Sequence, residues 1–132
     1  MKQTYSGGCH CGAVRYEADV DLSQGTVRCN CSICSKARPW FTAIDSNAFR
    51  LLRGDDALST YTFGAAQIQH KFCKHCGIKS FARIMMPDGV QVAIMVNCLE
   101  NVPDSELAAL PIVYVDGRND NLEGPPAETR HL

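Results

Sequence analysis

Apolar and polar residues alternate in short runs along this chain, and nowhere do apolar residues recur at the spacing of a long amphipathic helix. Alternation with a period of two is typical of strands that bury one face. The runs from Ala13 to Ala18 and from Gln67 to Phe72 alternate in this way, and the longest apolar run, Val90 to Val96, predicts a central strand. Further strands are predicted over residues 26–28, 40–44, 49–53, 58–63, 79–84 and 111–115.

Turn-forming residues separate the predicted strands. Residues 4–20 are expected to form a β-hairpin, and Gly54-Asp55-Asp56 predicts a turn between two later strands. Helical turns are expected only over residues 32–37 and 105–109. The fold class predicted from this pattern is mainly β.

Composition limits the kind of protein that this chain can be. The 132 residues are 45% hydrophobic and 20% charged, so we predict a single domain over residues 1–132, with an irregular tail from about residue 116. The net charge of −1 gives no electrostatic reason to expect nucleic acid or an anionic membrane as a partner. No stretch approaches the roughly 20 apolar residues of a membrane span. Residues 1–5 lack the apolar core of a signal peptide, so a cytoplasmic protein is expected.

Eight cysteines carry most of the chemical information in the sequence. Structural disulfides are rare in the reducing cytosol, so cysteines at this density indicate metal binding or catalysis. The disulfide framework of a secreted protein is the alternative. Seven of the eight cysteines fall into a C-x-C motif, a C-x-C-x-x-C motif and a C-x-x-C motif, in that order.

The first and third motifs together offer four thiols. They are Cys9 with Cys11 and Cys73 with Cys76, and a glycine follows each pair and permits a tight turn. Such pairs at distant positions are typical of a structural zinc site with four thiolates, which cross-links the chain and contributes folding free energy. Redox-active or simply buried cysteines are the alternatives.

The middle motif places Cys29, Cys31 and Cys34 within six residues, so that three sulfurs can converge on one metal. Zinc sites that keep an open position are typically catalytic, and three ligands leave one position open. An iron–sulfur fragment and a trio of redox thiols are the alternatives, although a cluster needs a fourth thiolate. Cys98 would be that fourth ligand, but a lone cysteine at the end of an apolar strand is more often buried packing.

The ligand set predicts the type of chemistry at the middle motif. Zinc held by three thiolates is electron-rich and therefore polarises a carbonyl poorly. It is suited to binding an incoming thiol as the thiolate, which is the nucleophilic form. A thiol substrate follows from this reasoning, but the identity of the thiol does not.

Other polar and aromatic residues near the cysteines are ambiguous. Surface or supporting roles are expected for three histidines, rather than ligation: His10, His70 and His75. Four basic residues have two possible roles, which are to steer a substrate carboxylate or to remain solvated on the surface: Lys36, Arg38, Lys71 and Lys74. Trp40 and Phe41 are expected in the core, although their position close to Cys34 also allows them to line a pocket.

The cysteine motifs and their flanking residues resemble one family. Residues 7–16, 29–34 and 72–77 are similar to the motifs of the glutathione-dependent formaldehyde-activating enzyme family, which includes centromere protein V. The resemblance extends from about residue 5 to residue 115 and contains all seven motif cysteines in order.

The resemblance implies an Mss4-like fold of coiled antiparallel sheets with two zinc ions per chain. It implies a structural zinc on Cys9, Cys11, Cys73 and Cys76, and a catalytic zinc on Cys29, Cys31 and Cys34. The reaction implied is the joining of glutathione and formaldehyde to give S-hydroxymethylglutathione, classed as carbon–sulfur lyase chemistry. Residues 36–40 differ from the small, glycine-containing stretch that the family often has there, so the thiol is predicted as glutathione or a related compound.

Two functions from different classes are therefore expected at this stage. The first is a zinc-dependent enzyme of the carbon–sulfur lyase type, whose partners are a small thiol and a small aldehyde. The second is a non-catalytic zinc module that carries a thiol or binds another protein, because no obvious general base lies near the cysteines.

Overall fold

A computed structural model describes residues 1–132 and shows a chain whose regular structure is mainly β. The strands are β1 (Gln3–Gly8), β2 (Arg15–Val20), β3 (Thr26–Cys29), β4 (Phe41–Asp45), β5 (Phe49–Arg53), β6 (Leu58–Tyr61), β7 (Ile68–Cys73), β8 (Phe81–Met86), β9 (Gly89–Met95) and β10 (Ile112–Val115). The two helices are α1 (Cys34–Ala37) and α2 (Asp104–Ala108). Neither has the length or the apolar character needed to cross a membrane. The prediction of a mainly β fold is confirmed.

The strands form two sheets. One contains three strands in the order β1-β2-β5, and the other contains seven in the order β10-β3-β4-β9-β8-β7-β6. Neighbouring strands are antiparallel, as the resemblance implied, except that β10 and β3 are parallel. The apolar strand β9 lies between β4 and β8 in the middle of the larger sheet, which confirms its prediction as a central strand.

Each predicted strand has a counterpart in the structure, and the boundaries differ by a few residues. The hairpin predicted over residues 4–20 is the antiparallel pair β1 and β2. The strand predicted over residues 58–63 ends earlier, at Tyr61, because the chain turns before β7. Gly64 and Ala66 in this turn have positive φ angles of 58° and 57°, which are incompatible with a strand.

The core lies between the two sheets. Every second residue of β2 is buried, as its alternating sequence predicts. The ring of Tyr16 on β2 lies 5.0 Å from that of Phe49 on β5, which in turn lies 4.8 Å from that of Phe81 on β8. The buried Tyr16 hydroxyl donates a hydrogen bond to the Ser80 carbonyl at 3.1 Å, which satisfies its polar end. These contacts hold the small sheet against the large one.

The chain after β10 forms a 3-10 turn at Gly117–Asn119 and contains no further helix or strand. It folds back towards α1, where the Arg38 guanidinium donates a hydrogen bond to the His131 carbonyl. The tail therefore packs beside the segment that carries the middle cysteine motif.

Candidate metal centres

Four thiols meet where the two hairpin turns of different sheets come together. Cys9 and Cys11 lie in the turn between β1 and β2, Cys73 is the last residue of β7, and Cys76 lies in the turn before β8. Their Sγ atoms all lie within 4.8 Å of one another, and we call this group the four-thiol cluster. The structure thus brings together the first and third motifs, as the sequence predicted.

The spacing of the sulfurs fits a tetrahedral metal. Thiolates bound to zinc at about 2.3 Å lie about 3.8 Å apart at the corners of a tetrahedron. The Cys11 Sγ atom lies 3.7 Å from that of Cys9 and 3.6 Å from that of Cys73. Sulfurs in a disulfide are about 2.05 Å apart, and all eight cysteines are free. The cluster can hold one metal ion with the geometry that zinc prefers.

Backbone N–H groups stabilise the thiolate form of these ligands. The Val14 N–H donates to Cys9 Sγ at 3.3 Å. The N–H groups of Cys11 and Ile78 lower the pKa of Cys76 to about 6. A lowered pKa favours the deprotonated sulfur, which is the form that binds a metal.

The turns that aim these N–H groups depend on glycine. Gly12 and Gly77 have φ angles of 83° and 79°, in the left-handed region that glycine adopts without strain. In the second of these turns the His75 N–H donates to Cys73 Sγ at 3.4 Å. Both glycines follow a cysteine pair directly, as expected for metal-binding turns.

The middle motif forms the second centre. Cys29 ends β3, Cys31 lies in the following turn, and Cys34 begins α1. Their three Sγ atoms also lie within 4.8 Å of one another, and we call this group the three-thiol cluster. No fourth cysteine, histidine or carboxylate belongs to the group, so a tetrahedral metal bound here would keep one open position.

Within the three-thiol cluster, Cys29 is the sulfur that accepts hydrogen bonds from its neighbours. The Cys34 thiol and the N–H groups of Cys31 and Gly117 donate to Cys29 and lower its pKa to about 5, against the opposing effect of burial. The hydrogen bond to Cys29, together with burial, raises the pKa of Cys34. The lowered pKa of Cys29 favours its thiolate, which is the form that binds a cation.

The polar side chain of Asn30 fixes the segment between Cys29 and Cys31. Asn30 is only 5% exposed, and its amide donates to Asp116 at 2.9 Å and accepts from the Arg118 N–H at 3.0 Å. The backbone carbonyl of Asn30 accepts a hydrogen bond from the Ser35 hydroxyl at 2.7 Å. The start of the tail is thereby attached to the three-thiol cluster, a contact that the sequence did not predict.

The parallel pairing of β10 with β3 explains this attachment. Val115 pairs with Cys29, so the residues that follow each strand leave the sheet side by side. Gly117 consequently packs against Cys29, to which it donates its N–H. This donor, Gly117, lies 88 positions after Cys29 in the sequence, and no recognisable motif surrounds it.

Cys98 lies outside both clusters. It is 8% exposed and packs with Ala82, Ala93 and Met95, and its thiol donates to the Lys79 carbonyl at 3.7 Å. The structure therefore shows the packing role that the sequence analysis ranked first, and not a fourth ligand.

None of the three histidines near the cysteines belongs to a cluster. His10 and His75 are exposed, whereas His70 is only 5% exposed, so a surface position is wrong for His70. Among the cations, the Lys71 ammonium donates to the Thr60 hydroxyl at 2.8 Å, while Lys36 and Lys74 lie on the surface.

The two aromatic residues after Cys34 have different environments. Trp40 packs against the main core and donates to the Thr26 hydroxyl at 2.7 Å. Phe41 instead lines a small cavity together with Cys34. The sequence allowed both environments for both residues, and they differ because Trp40 lies directly before β4 whereas Phe41 is its first residue.

The same cavity contains two polar side chains, His70, for which a surface or supporting role was expected, and Lys79, for which no role was predicted. His70 on β7 and Lys79 before β8 line it, and the Lys79 ammonium lies 2.5 Å from His70 Nδ1. Burial lowers the pKa of Lys79, and the nearby sulfurs of Cys34 and Cys31 oppose that effect. The only sequence signal for Lys79 was its place directly before an apolar strand, which does not show what it faces.

The fold and the clusters define the class of protein: a mainly β chain with two cysteine groups that can hold metal ions. The sequence matches the family described as glutathione-dependent formaldehyde-activating enzyme over residues 4–116, and the chain belongs to that family. The resemblance predicted from the cysteine motifs is thereby confirmed.

A solved structure supports the fold. The crystal structure of a Rhodobacter sphaeroides protein is similar to this chain, with a TM-score of 0.69 and 29% sequence identity. The similarity covers 82% of this chain and 99% of the other.

Proposed function

We propose that this protein is a zinc-dependent enzyme of the carbon–sulfur lyase type, located in the cytoplasm. It forms or cleaves an adduct of glutathione, or a related thiol, with formaldehyde or another aldehyde. The observation that carries the proposal is the three-thiol cluster, whose three ligands leave one position open beside a cavity at Cys34. Family membership and the eight free thiols, which suit a reducing compartment, support it further.

Two zinc ions per chain are part of this proposal. The four-thiol cluster would hold one and stabilise the fold, and Cys29, Cys31 and Cys34 would hold the other. Zinc bound to three thiolates supplies an open position at which a thiol binds as its nucleophilic thiolate.

The protein's own residues organise the site around that position. The Cys31 and Gly117 N–H groups hold Cys29 as a thiolate. A groove of about 340 Å³ on the outer side of the segment is lined by Ser32, Ile33, Lys36, Tyr61 and Phe63, and is large enough for a small thiol. The exposed Lys36 ammonium gives this groove a cation for a substrate carboxylate.

The proposed reaction balances without a redox partner. In the forming direction, the thiol sulfur bonds to the carbonyl carbon and the π electron pair moves onto the carbonyl oxygen. That oxygen gains a proton and the thiol loses one, so the overall oxidation state is unchanged. Cleavage is the same sequence in reverse.

Replacement of Cys31 with serine tests the proposal. We expect Cys31→Ser to lose one of two zinc ions per chain and to lower the rate of adduct formation from glutathione and formaldehyde to the uncatalysed level. Zinc would be counted by mass spectrometry, and the rate measured by exchange NMR. Cys98→Ser is the matched control, because Cys98 lies outside both clusters.

Three results would separate the possible outcomes. Loss of turnover in Cys31→Ser, with full turnover in Cys98→Ser, supports the enzyme. Unchanged turnover in Cys31→Ser contradicts it. Tight glutathione binding by the unmodified protein, with no acceleration for any aldehyde, would instead support the non-catalytic module that carries a thiol.

A further inference from the structure

Lys79 carries a half-buried ammonium that no carboxylate neutralises. It lies two positions before β8, and its side chain is only partly exposed. The ion pairs of the chain involve the N-terminus, Arg15 and Arg50, and none of them involves Lys79. A charge that is partly withdrawn from water without a counter-ion is unfavourable, so the position of this ammonium requires a compensating negative charge.

The hydrogen-bond partner of the ammonium is an uncharged ring. An ammonium can only donate, so His70 Nδ1 accepts from Lys79 at 2.5 Å. Burial and, to a smaller extent, the charge of Lys79 lower the pKa of His70 to about 4, so the ring is neutral at pH 7. His70 therefore orients the ammonium and does not compensate its charge.

Both ends of the Lys79 side chain are held in place. At the backbone, the Lys79 carbonyl accepts from the Cys98 thiol at 3.7 Å, and the next carbonyl, that of Ser80, accepts from the buried Tyr16 hydroxyl at 3.1 Å. At the other end, the His70 ring that accepts from the ammonium stacks on Phe63, with ring centroids 5.8 Å apart. The charge therefore has a fixed position in the fold.

The three-thiol cluster supplies the missing negative charge. Lys79 and Cys34 line the same small cavity, and Phe41 and Ile84 are among its apolar walls. The sulfurs of Cys34 and Cys31 raise the pKa of Lys79 against the larger effect of burial. Zinc with three thiolates has one net negative charge, and a fourth thiolate would give it two. Apolar walls screen the attraction between these charges and the ammonium less than water would.

We propose that Lys79 is a positioning residue for the thiol substrate: its charge, oriented by His70, makes the open position of the three-thiol cluster prefer an anionic fourth ligand, the thiolate, to a neutral one. This inference rests on the proposed function and adds a residue to the same site. Lys79 acts through the charge of the metal centre and needs no contact with either substrate.

The charge of the incoming ligand determines how strongly Lys79 acts on it. A thiol that binds as its thiolate releases one proton to solvent and adds one negative charge to the centre. Imidazole binds as a neutral molecule and adds none. The attraction to Lys79 thus increases when a thiolate binds and stays nearly constant when imidazole binds. A merely structural role of Lys79 would affect both ligands alike.

Cobalt(II) in place of zinc gives a readout of the open position that does not depend on turnover, because its visible spectrum changes when a fourth ligand binds. We expect Lys79→Met, which keeps the length of the side chain, to raise the dissociation constant of glutathione about tenfold or more. The dissociation constant of imidazole should change by less than about twofold. The four-thiol cluster has no open position, so a cobalt ion there should give a constant background.

Two further variants and a control separate charge from structure. Lys79→Arg retains the charge and should recover most of the affinity for glutathione. Lys79→Gln is neutral but polar, and it repeats the test if Lys79→Met does not retain the metal of the four-thiol cluster. Lys71→Met is the matched control, because Lys71 is also half-buried but donates to Thr60 outside the cavity. It should leave both dissociation constants unchanged.

Kinetics of the zinc-loaded protein provide a second readout. A fourth ligand that is less stabilised binds more weakly, but its sulfur is no less nucleophilic. We therefore expect Lys79→Met to raise KM for glutathione about tenfold or more and to change kcat much less. An equal loss in kcat with an unchanged KM would contradict a role in thiolate binding.

The outcomes distinguish this inference from the proposed function. Weaker binding of glutathione with unchanged binding of imidazole in Lys79→Met, together with recovery in Lys79→Arg, supports the inference. Equal effects on the two ligands, or no effect on either, would overturn it and leave the enzyme in place. If neither ligand changes the cobalt spectrum of the unmodified protein, no position is open, and the inference and the proposed function are both wrong.

Discussion

At the scale of the residue, the three-thiol cluster depends on a glycine from outside its own motif. A methyl group on Gly117 would lie 2.6 Å from Cys29 Sγ and 3.1 Å from Cys31 Cβ, closer than real contacts allow. Neither neighbour can move without changing the position of a proposed metal ligand. The constraint at Gly117 is steric, since its φ angle is not among the positive ones.

We therefore expect Gly117→Ala to lose the metal of the three-thiol cluster, so that zinc per chain falls from two towards one. Mass spectrometry of the intact holoprotein measures the metal content. Gly124→Ala is the control, because a methyl group there meets only Asn121 at 3.5 Å, an ordinary contact. Two tightly held zinc ions in Gly117→Ala would show that the contact is not needed.

At the scale of the element, the two cysteine groups link very different parts of the chain. The four-thiol cluster joins the β1–β2 hairpin to the β7–β8 hairpin, and Cys11 and Cys73 are 62 positions apart. The three-thiol cluster lies within one short segment, from the last residue of β3 to the first residue of α1. A metal in the first cluster closes a long loop, whereas a metal in the second closes only a short one.

This difference predicts unequal effects on stability. We expect Cys73→Ser to lower the free energy of unfolding by about 5 kcal/mol or more, because structural zinc contributes directly to folding. Cys31→Ser should lower it by about 3 kcal/mol less than Cys73→Ser does. Urea unfolding followed by Trp40 fluorescence, with zinc in excess, measures both. Equal losses would contradict the assignment of separate structural and catalytic sites.

At the scale of the whole molecule, the two clusters differ in what surrounds them. The four-thiol cluster connects the two sheets, so loss of a metal bound there would remove a cross-link between them. The three-thiol cluster lies at the edge formed by β3, α1 and the tail, beside a cavity and an open groove. We expect release of a metal bound there to require no rearrangement of the core.

A chelator should consequently remove the metals in two phases. We expect the first zinc to leave quickly with an unchanged circular dichroism spectrum, and the second to leave only as that spectrum changes. Glutathione should accelerate the first phase alone, because it competes at the open position. A single phase in which both zinc ions leave with loss of structure would contradict this picture.

Much of the fold and of the metal centres was predictable from local sequence features. The alternation along Gln67–Phe72 predicted β7, and the apolar run Val90–Val96 predicted the central strand β9. The cysteine spacing predicted that Cys29, Cys31 and Cys34 converge, because they lie two or three positions apart, and it predicted the two cysteine pairs of the four-thiol cluster from their motif types. The burial of His70 was missed because its side chain is polar, although alternation places it on the same face as Ile68 and Phe72.

By itself, then, the sequence determined the strands, the three thiols of the middle motif, each of the two cysteine pairs and the family, because each depends on residues close together in the chain. Only the tertiary structure decided that β10 pairs in parallel with β3 and so brings Gly117 to Cys29. It alone decided that Ala82, Lys79 and Cys34 share a cavity. These contacts join parts of the chain that are distant in sequence, and the pairing that brings them together is long-range, which no local pattern encodes.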